Sequence, residues 1–327
     1  MFDFRTGPIL GLLWRTLPFL ALRLVVYLGI ALAYVVAVGI GGGIGLLFGH
    51  IGGQGGGGAG LGGLIGFVVV TGLLFWAREY LLYLVKAAHV AVLVELIDGR
   101  GIPAGRGQIE HGIDAVKRHF GTSSLLFGLN QLLRGALGVF NRATVRLAAW
   151  LPVPGLESLV RLADAIVSTS LSHLDQVVLA QILRAPAANP WATASDAAVL
   201  YAQNYKAVLK NAALLTFVVW ALTLLVLIAV AAPVAALIGL FHVHAGIWTF
   251  ALAVVAALSL KAALIDPFAT VALLQVYDGV TRGQAPDPEW RARLESLSSQ
   301  FRELTRRAGG VPVAPMPMPP PPPRPAI

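Results

Sequence analysis

The chain has 327 residues, of which 57% are hydrophobic and only 12% charged, and its formal net charge is +8. A water-soluble domain carries about 25% charged residues, so half that share leaves too little polar surface to coat a soluble fold; the sequence reads as an all-α integral membrane protein. Without cysteine there is no disulfide, thiolate metal site or cysteine nucleophile, and the basic excess is what the positive-inside bias gives a membrane protein, with no nucleic acid required.

In chain order, Arg15 and Arg23 interrupt the first apolar stretch, which therefore does not read as a cleavable signal. Four firm spans are predicted, at about 24–48, 64–97, 212–240 and 246–277, since about 20 apolar residues cross the hydrocarbon core. The first pair is joined by an uncharged glycine tract and the second by Phe241-His242-Val243-His244-Ala245. These uncharged connectors are expected outside. Arg5, Arg15, Arg23, the 100–118 loop, Lys206, Lys210 and the Arg-rich C-terminus are expected inside, so both termini of a multi-pass protein of the cell (inner) membrane are cytoplasmic.

Residues 1–120 thus form a first transmembrane repeat and 191–284 a second. Between them, 121–190 carries Asn130, Gln131, Arg134, Glu157, Arg161, Asp164, His173, Asp175 and Gln181, too polar for lipid-facing helices. Two helices that either cross or re-enter, partly buried against the bundle, are expected there. The duplication is read from Ala91–Gly99 (AVLVELIDG) and Val271–Gly279 (VALLQVYDG), 180 residues apart. The helix entries beginning at Trp14, Val116 and Tyr205 also echo one another.

Residues 285–310 read as a cytoplasmic amphipathic helix. Asp287 is a cap, Pro288 its first position, and Trp290, Leu294, Leu297, Phe301, Leu304 and Ala308 form a heptad seam. Arg291–Glu295 and Glu303–Arg307 are expected as four-residue ion pairs. The seam across 287–308 is a candidate homo-oligomer interface. The proline-rich tail, 311–327, is expected to be disordered and extended, and to be open to a protein partner.

The glycine tract contains a formal G-x-G-x-x-G at Gly58, Gly60 and Gly63, but a nucleotide fingerprint needs a preceding strand. Close helix packing through Gly39/Gly43, Gly41/Gly45 and Gly62/Gly66 is the expectation instead. His242 and His244, with His50, make only a weak metal site, so no metal or cofactor is expected. His111, Asp114 and His119 are expected to be solvated on a cytoplasmic helix. No catalytic motif occurs, which points away from an enzyme.

Charges within apolar helices carry most of the information, because they are costly in a bilayer. Trp76, Glu79, Tyr80, Tyr83 and Lys86 share one helical face. A carboxylate among aromatic rings suits an organic cation; an aromatic belt with a salt bridge from Arg78 or Lys86 accounts for the same residues. Lys261 and Asp266 lie in the last span, where Pro267 is expected to kink the helix. The duplicated register sets Asp266 opposite Lys86. Trp76, Glu79, Tyr80, Tyr83, Lys261 and Asp266 are the candidate substrate-binding residues.

Two stretches carry a resemblance: RHFGTSSLLFG (Arg118–Gly128) and ASDAAVLYAQNYKAVLKNAAL (Ala194–Leu214). Over roughly residues 118–280 the chain distantly resembles the choline transporter-like family. That family has about ten spans and a cysteine-bearing outer loop, whereas this chain has fewer spans and no cysteine. The resemblance implies membrane transport of a small organic cation and transfers no binding residue. The sequence thus points to a transport protein for a small organic cation or similar solute. Alternatives are a membrane organiser that recruits partners through its C-terminal helix and tail, and an oligomeric ion channel.

Overall fold

The computed structural model describes residues 3–51, 55–103, 105–120, 123–149, 173, 175–185, 189–240 and 247–309, which form helices and no strand. The helices are α1 (Thr6–Arg15), α2 (Leu17–Ile51), α3 (Gly55–Ile97), α4 (Gln108–Phe120), α5 (Ser123–Ala149), α6 (175–184), α7 (Pro190–Gln203) and α8 (Tyr205–Leu240). They continue with α9 (Ile247–Leu260), a π turn (Lys261–Ile265), α10 (Asp266–Thr281), α11 (Pro288–Leu297) and α12 (Ser299–Gly309). The fold is all-α. Among the described residues, three helices are long and apolar enough to cross a membrane: Leu17–His50, Tyr205–Ala236 and Ala253–Thr281. The expected span 64–97 lies in α3, a continuous helix whose described apolar stretch is Gly60–Val69.

The architecture is a helical body from which two apolar hairpins rise. In the first hairpin, α2 and α3 run side by side along a glycine seam. A Cβ placed on Gly41, Gly45, Gly58, Gly62 or Gly66 would sit 2.0–2.2 Å from a carbonyl oxygen of the facing helix. Only hydrogen fits there, which is why small residues recur at four-residue spacing. Gly41, Gly45 and Gly62/Gly66 are thus in the seam as expected; Gly39 and Gly43 are not, having nothing within 4 Å.

The outer faces of this hairpin are bare. Val25, Leu32, Ile40 and Phe48 on α2 and Leu61 and Val68 on α3 are all more than half exposed. From Val25 to Phe48 that surface is about 35 Å long at 1.5 Å per residue, close to the roughly 30 Å of a hydrocarbon core. The second hairpin, α8 with α9, shows the same character at Leu224, Leu225 and Ile228.

The body holds the polar corners. Thr16 ends α1 by bonding back to the Leu12 and Leu13 carbonyls, and its hydroxyl also meets His89 Nε2 at 3.0 Å. Phe19 stacks on the His89 ring at 5.0 Å. On α4, Gly112 lets the helix lie against the Ala88 carbonyl, where a Cβ would come to 2.5 Å. That approach buries His111, whose Nε2 is 2.5 Å from Glu95 Oε2. His111 is therefore not a solvated residue; Asp114 stays near the surface, 3.6 Å from Arg106.

The C-terminal segment departs from one continuous heptad helix. Asp287 caps α11 by accepting from Glu289 N at 2.7 Å, but the chain becomes extended at Ser298, whose hydroxyl then accepts from Phe301 N. Serine side chains compete with helical backbone bonds in this way, so α11 and α12 fold back on the body. Leu294, Phe301 and Leu304 are fully buried within the chain, Trp290 packs on Phe140 and Tyr205, and Leu297 is left 39% exposed. Apart from Leu297, the seam residues pack within the chain. Glu303 pairs with Arg307 as expected and with Arg306 as well, whereas Arg291 turns to Asp196 and Ser195 rather than Glu295.

Candidate functional site

The last long helix changes character where Pro267 enters it. Proline has no amide hydrogen, so the carbonyl a turn earlier loses its helical donor. The helix absorbs this as a π turn over Lys261–Ile265, in which Asp266 N bonds the Lys261 carbonyl five residues back. In a regular α-helix residues five apart lie roughly 140° apart around the axis. The wider turn brings them together, and Lys261 Nζ sits 2.7 Å from Asp266 Oδ1. Such π turns recur at functional positions.

Other charges gather around this pair. Arg23 on α2 is 1% exposed, its Nε and Nη1 meet no hydrogen-bond acceptor among the described residues, and it interacts electrostatically with Asp266 and Tyr27. Lys86 on α3 is half-buried and lies within electrostatic range of Arg23, Asp175, Asp266 and Arg134. Arg134 on α5 forks onto Asp175 Oδ2 at 2.5 and 2.9 Å, and Asp175 is almost wholly buried. Thr270, one turn beyond Asp266, meets Gln176 Oε1 at 3.3 Å and His173 Nδ1 at 3.5 Å. Burial pushes the His173 imidazole down to about 4, so it carries no charge at neutral pH. The cluster therefore joins α2, α3, α5, the residues around α6, and the π turn.

Of the six candidate site residues, Lys261 and Asp266 belong to this cluster and pair with each other. Tyr83 is buried beside the Asp175–Arg134 pair. The side chains of Trp76, Glu79 and Tyr80 lie outside the described residues, as do His242 and His244. His50 is exposed and bonds its own helix at the Leu46 carbonyl. Among the described residues no group of three or more His, Cys, Asp or Glu is placed to hold a metal ion.

The sequence sets Arg23 among the charges expected on the cytoplasmic side; its burial at the foot of α2, with 1% of the residue exposed, was not expected. The signal for this was local, since Arg23 stands between Leu22 and Leu24 with apolar residues on both sides for a full turn.

A second polar junction lies below the first. Arg184 on α6 reaches Asp98 at 3.2 Å and Asp278 at 2.7 Å, and Gln181 also donates to Asp278. Burial opposes the charged guanidinium, but the Asp278 hydrogen bond and the two carboxylates outweigh it and hold Arg184 above its ordinary range. Asp98 and Asp278 are matching positions of the two similar stretches. The helices that follow them begin at Gln108 and Pro288, again 180 residues apart.

An apolar groove of about 800 Å³ runs along the first hairpin beside its glycine seam. It offers no polar group to a solute and lies away from the charged cluster. No family model, curated protein or solved structure matches this chain.

Proposed function

We propose that this chain is a multi-pass membrane transport protein for a small charged solute, which it binds at the cluster around Lys261 and Asp266. The observation that carries the reading is the position of that cluster: ionisable groups from α2, α3 and the π turn meet where the apolar hairpins leave the body. Buried charge beside a bilayer is costly and marks solute pathways. Broken helices in matching halves are where repeat transporters hold their substrates.

Four crossings follow if the bilayer takes α2, because the seam leaves α3 no means of separating from it. The second pair is α8 with the α9–α10 helix. The convergence of Asp98 and Asp278 on Arg184 supports a parallel duplication with that residue between the halves. Both described ends lie in the body, where Asp3 binds Lys210 and Asn211; this supports cytoplasmic termini on one side. The resemblance to the choline transporter-like family speaks for transport as well.

The test is solute flux in vesicles containing the purified protein. Asp266→Asn should abolish flux while the protein still inserts and elutes as wild type. Full flux in that variant would refute the site.

A further inference from the structure

We propose that Arg23 and Lys86 form a binding site for an oxyanion, a phosphate or carboxylate group carried by a solute or by a lipid headgroup. The inference rests on the transport reading in taking the same cluster as its site, and it names the class of group bound there.

Among the described residues the cluster brings four cations, Arg23, Lys86, Arg134 and Lys261, against two carboxylates, Asp175 and Asp266. Both carboxylates are already engaged, Asp175 by Arg134 at 2.5 Å and Asp266 by Lys261 at 2.7 Å. Arg23 and Lys86 therefore stand without an ion pair among the described residues. Arg23 is 1% exposed, and its Nε and Nη1 have no acceptor among the described residues. A buried cation without a counter-charge is strongly unfavourable. A fold that keeps one has a partner for it part of the time.

The chemistry then narrows the partner. A guanidinium presents planar, diverging donors that match carboxylate and phosphate oxygens, and an ammonium adds a point charge beside it. An organic cation would meet a surplus of positive charge here, so it is the class this corner disfavours. At the neighbouring π turn, Lys261 and Asp266 remain 24% and 15% exposed. Tyr27, one turn above Arg23 on α2, interacts with it electrostatically.

The test uses the full-length protein in uncharged detergent at constant ionic strength. Its melting temperature is measured with sodium phosphate, with phosphatidylglycerol doped into the micelles, and with choline chloride. An anion at 100 times its Kd should raise the Tm by about 4 °C. Arg23→Met and Lys86→Met should remove that rise, and exposed Lys117→Gln should keep it. Without added anion, Arg23→Met should melt higher than wild type, because it deletes an unpaired charge.

A rise with both probes assigns the site to phosphate as such, and a rise with phosphatidylglycerol alone assigns it to a lipid headgroup. A rise with choline and with neither anion overturns the inference and leaves transport standing, as does an anion effect that both Met variants retain. Silence from both anions overturns it too, and the flux assay then judges the transport reading separately.

Discussion

Gly45 and Gly43 lie two residues apart in the same apolar helix, yet alanine should act on them in opposite directions. At Gly45 a new Cβ would lie 2.0 Å from the Gly58 carbonyl oxygen and 2.9 Å from Gly62 Cα. Ordinary contact begins near 3.4 Å, so the arms must part by roughly 1.4 Å at that level. Overpacking of this kind costs about 1–3 kcal/mol. It also opens gaps on either side, where a 0.5–1 Å separation already forfeits a quarter to a half of each dispersion contact.

At Gly43 nothing lies within 4 Å. There alanine should only gain helix propensity, up to about 1 kcal/mol. That gain is common to both variants, so the gap between them isolates the seam at about 1–3 kcal/mol. Unfolding by SDS titration in mixed micelles, followed by far-UV circular dichroism, measures the gap directly. Gly62→Ala, facing Gly41 at 2.1 Å, should match Gly45→Ala. If Gly45→Ala and Gly43→Ala unfold together, the two helices are not held by this seam and the reasoning fails.

Phe301→Ala should destabilise the body by about 3–5 kcal/mol, since the ring is fully buried, and limited proteolysis should then release α11 and α12 first. Arg184→Met strips Asp98 and Asp278 of a shared, half-buried partner. It should cost about 2–3 kcal/mol in thermal unfolding, whereas exposed Arg100→Met should cost little. Glu303, bonded by Arg306 and Arg307, is held down to about 2 from an ordinary 4.5. Because its folded value is the lower one, its contribution is complete above pH 4.5 and fades as the pH falls towards 2. The stability difference between wild type and Glu303→Gln should therefore be flat above pH 4.5 and vanish near 2; a difference that persists at pH 2 would show that the two arginines are not its cause.

Much of the fold was legible in the sequence because the signals are local. Long apolar runs and uncharged connectors gave the long helices, Asp287-Pro288 gave a helix start, and four-residue glycine spacing gave close packing. The pairing of Lys261 with Asp266 was half visible: Pro267 announced a break, but not that a π turn would carry one side chain round to the other. The glycine tract illustrates the limit. Its composition promised a seam, yet only the relative rotation of α2 and α3 chose Gly41 and Gly45 over Gly39 and Gly43, and a helix does not encode its own rotation against a neighbour.

The remaining features depended on contacts between residues far apart in the chain. Apolar neighbours on both sides of Arg23 signal a buried position, but the groups that surround it come from α3 and the π turn, more than sixty residues away. The heptad at Trp290–Ala308 is the same pattern whether the apolar face meets a second chain or its own body. Ser298 breaks the helix, and the surfaces of α5 and α7 decide for the body. Sequence by itself determined the solvent this chain prefers and where its helices run, because hydrophobicity and backbone propensity act within a few residues. Tertiary structure alone decided which charges pair, because pairing depends on which distant side chains are brought within a few ångströms.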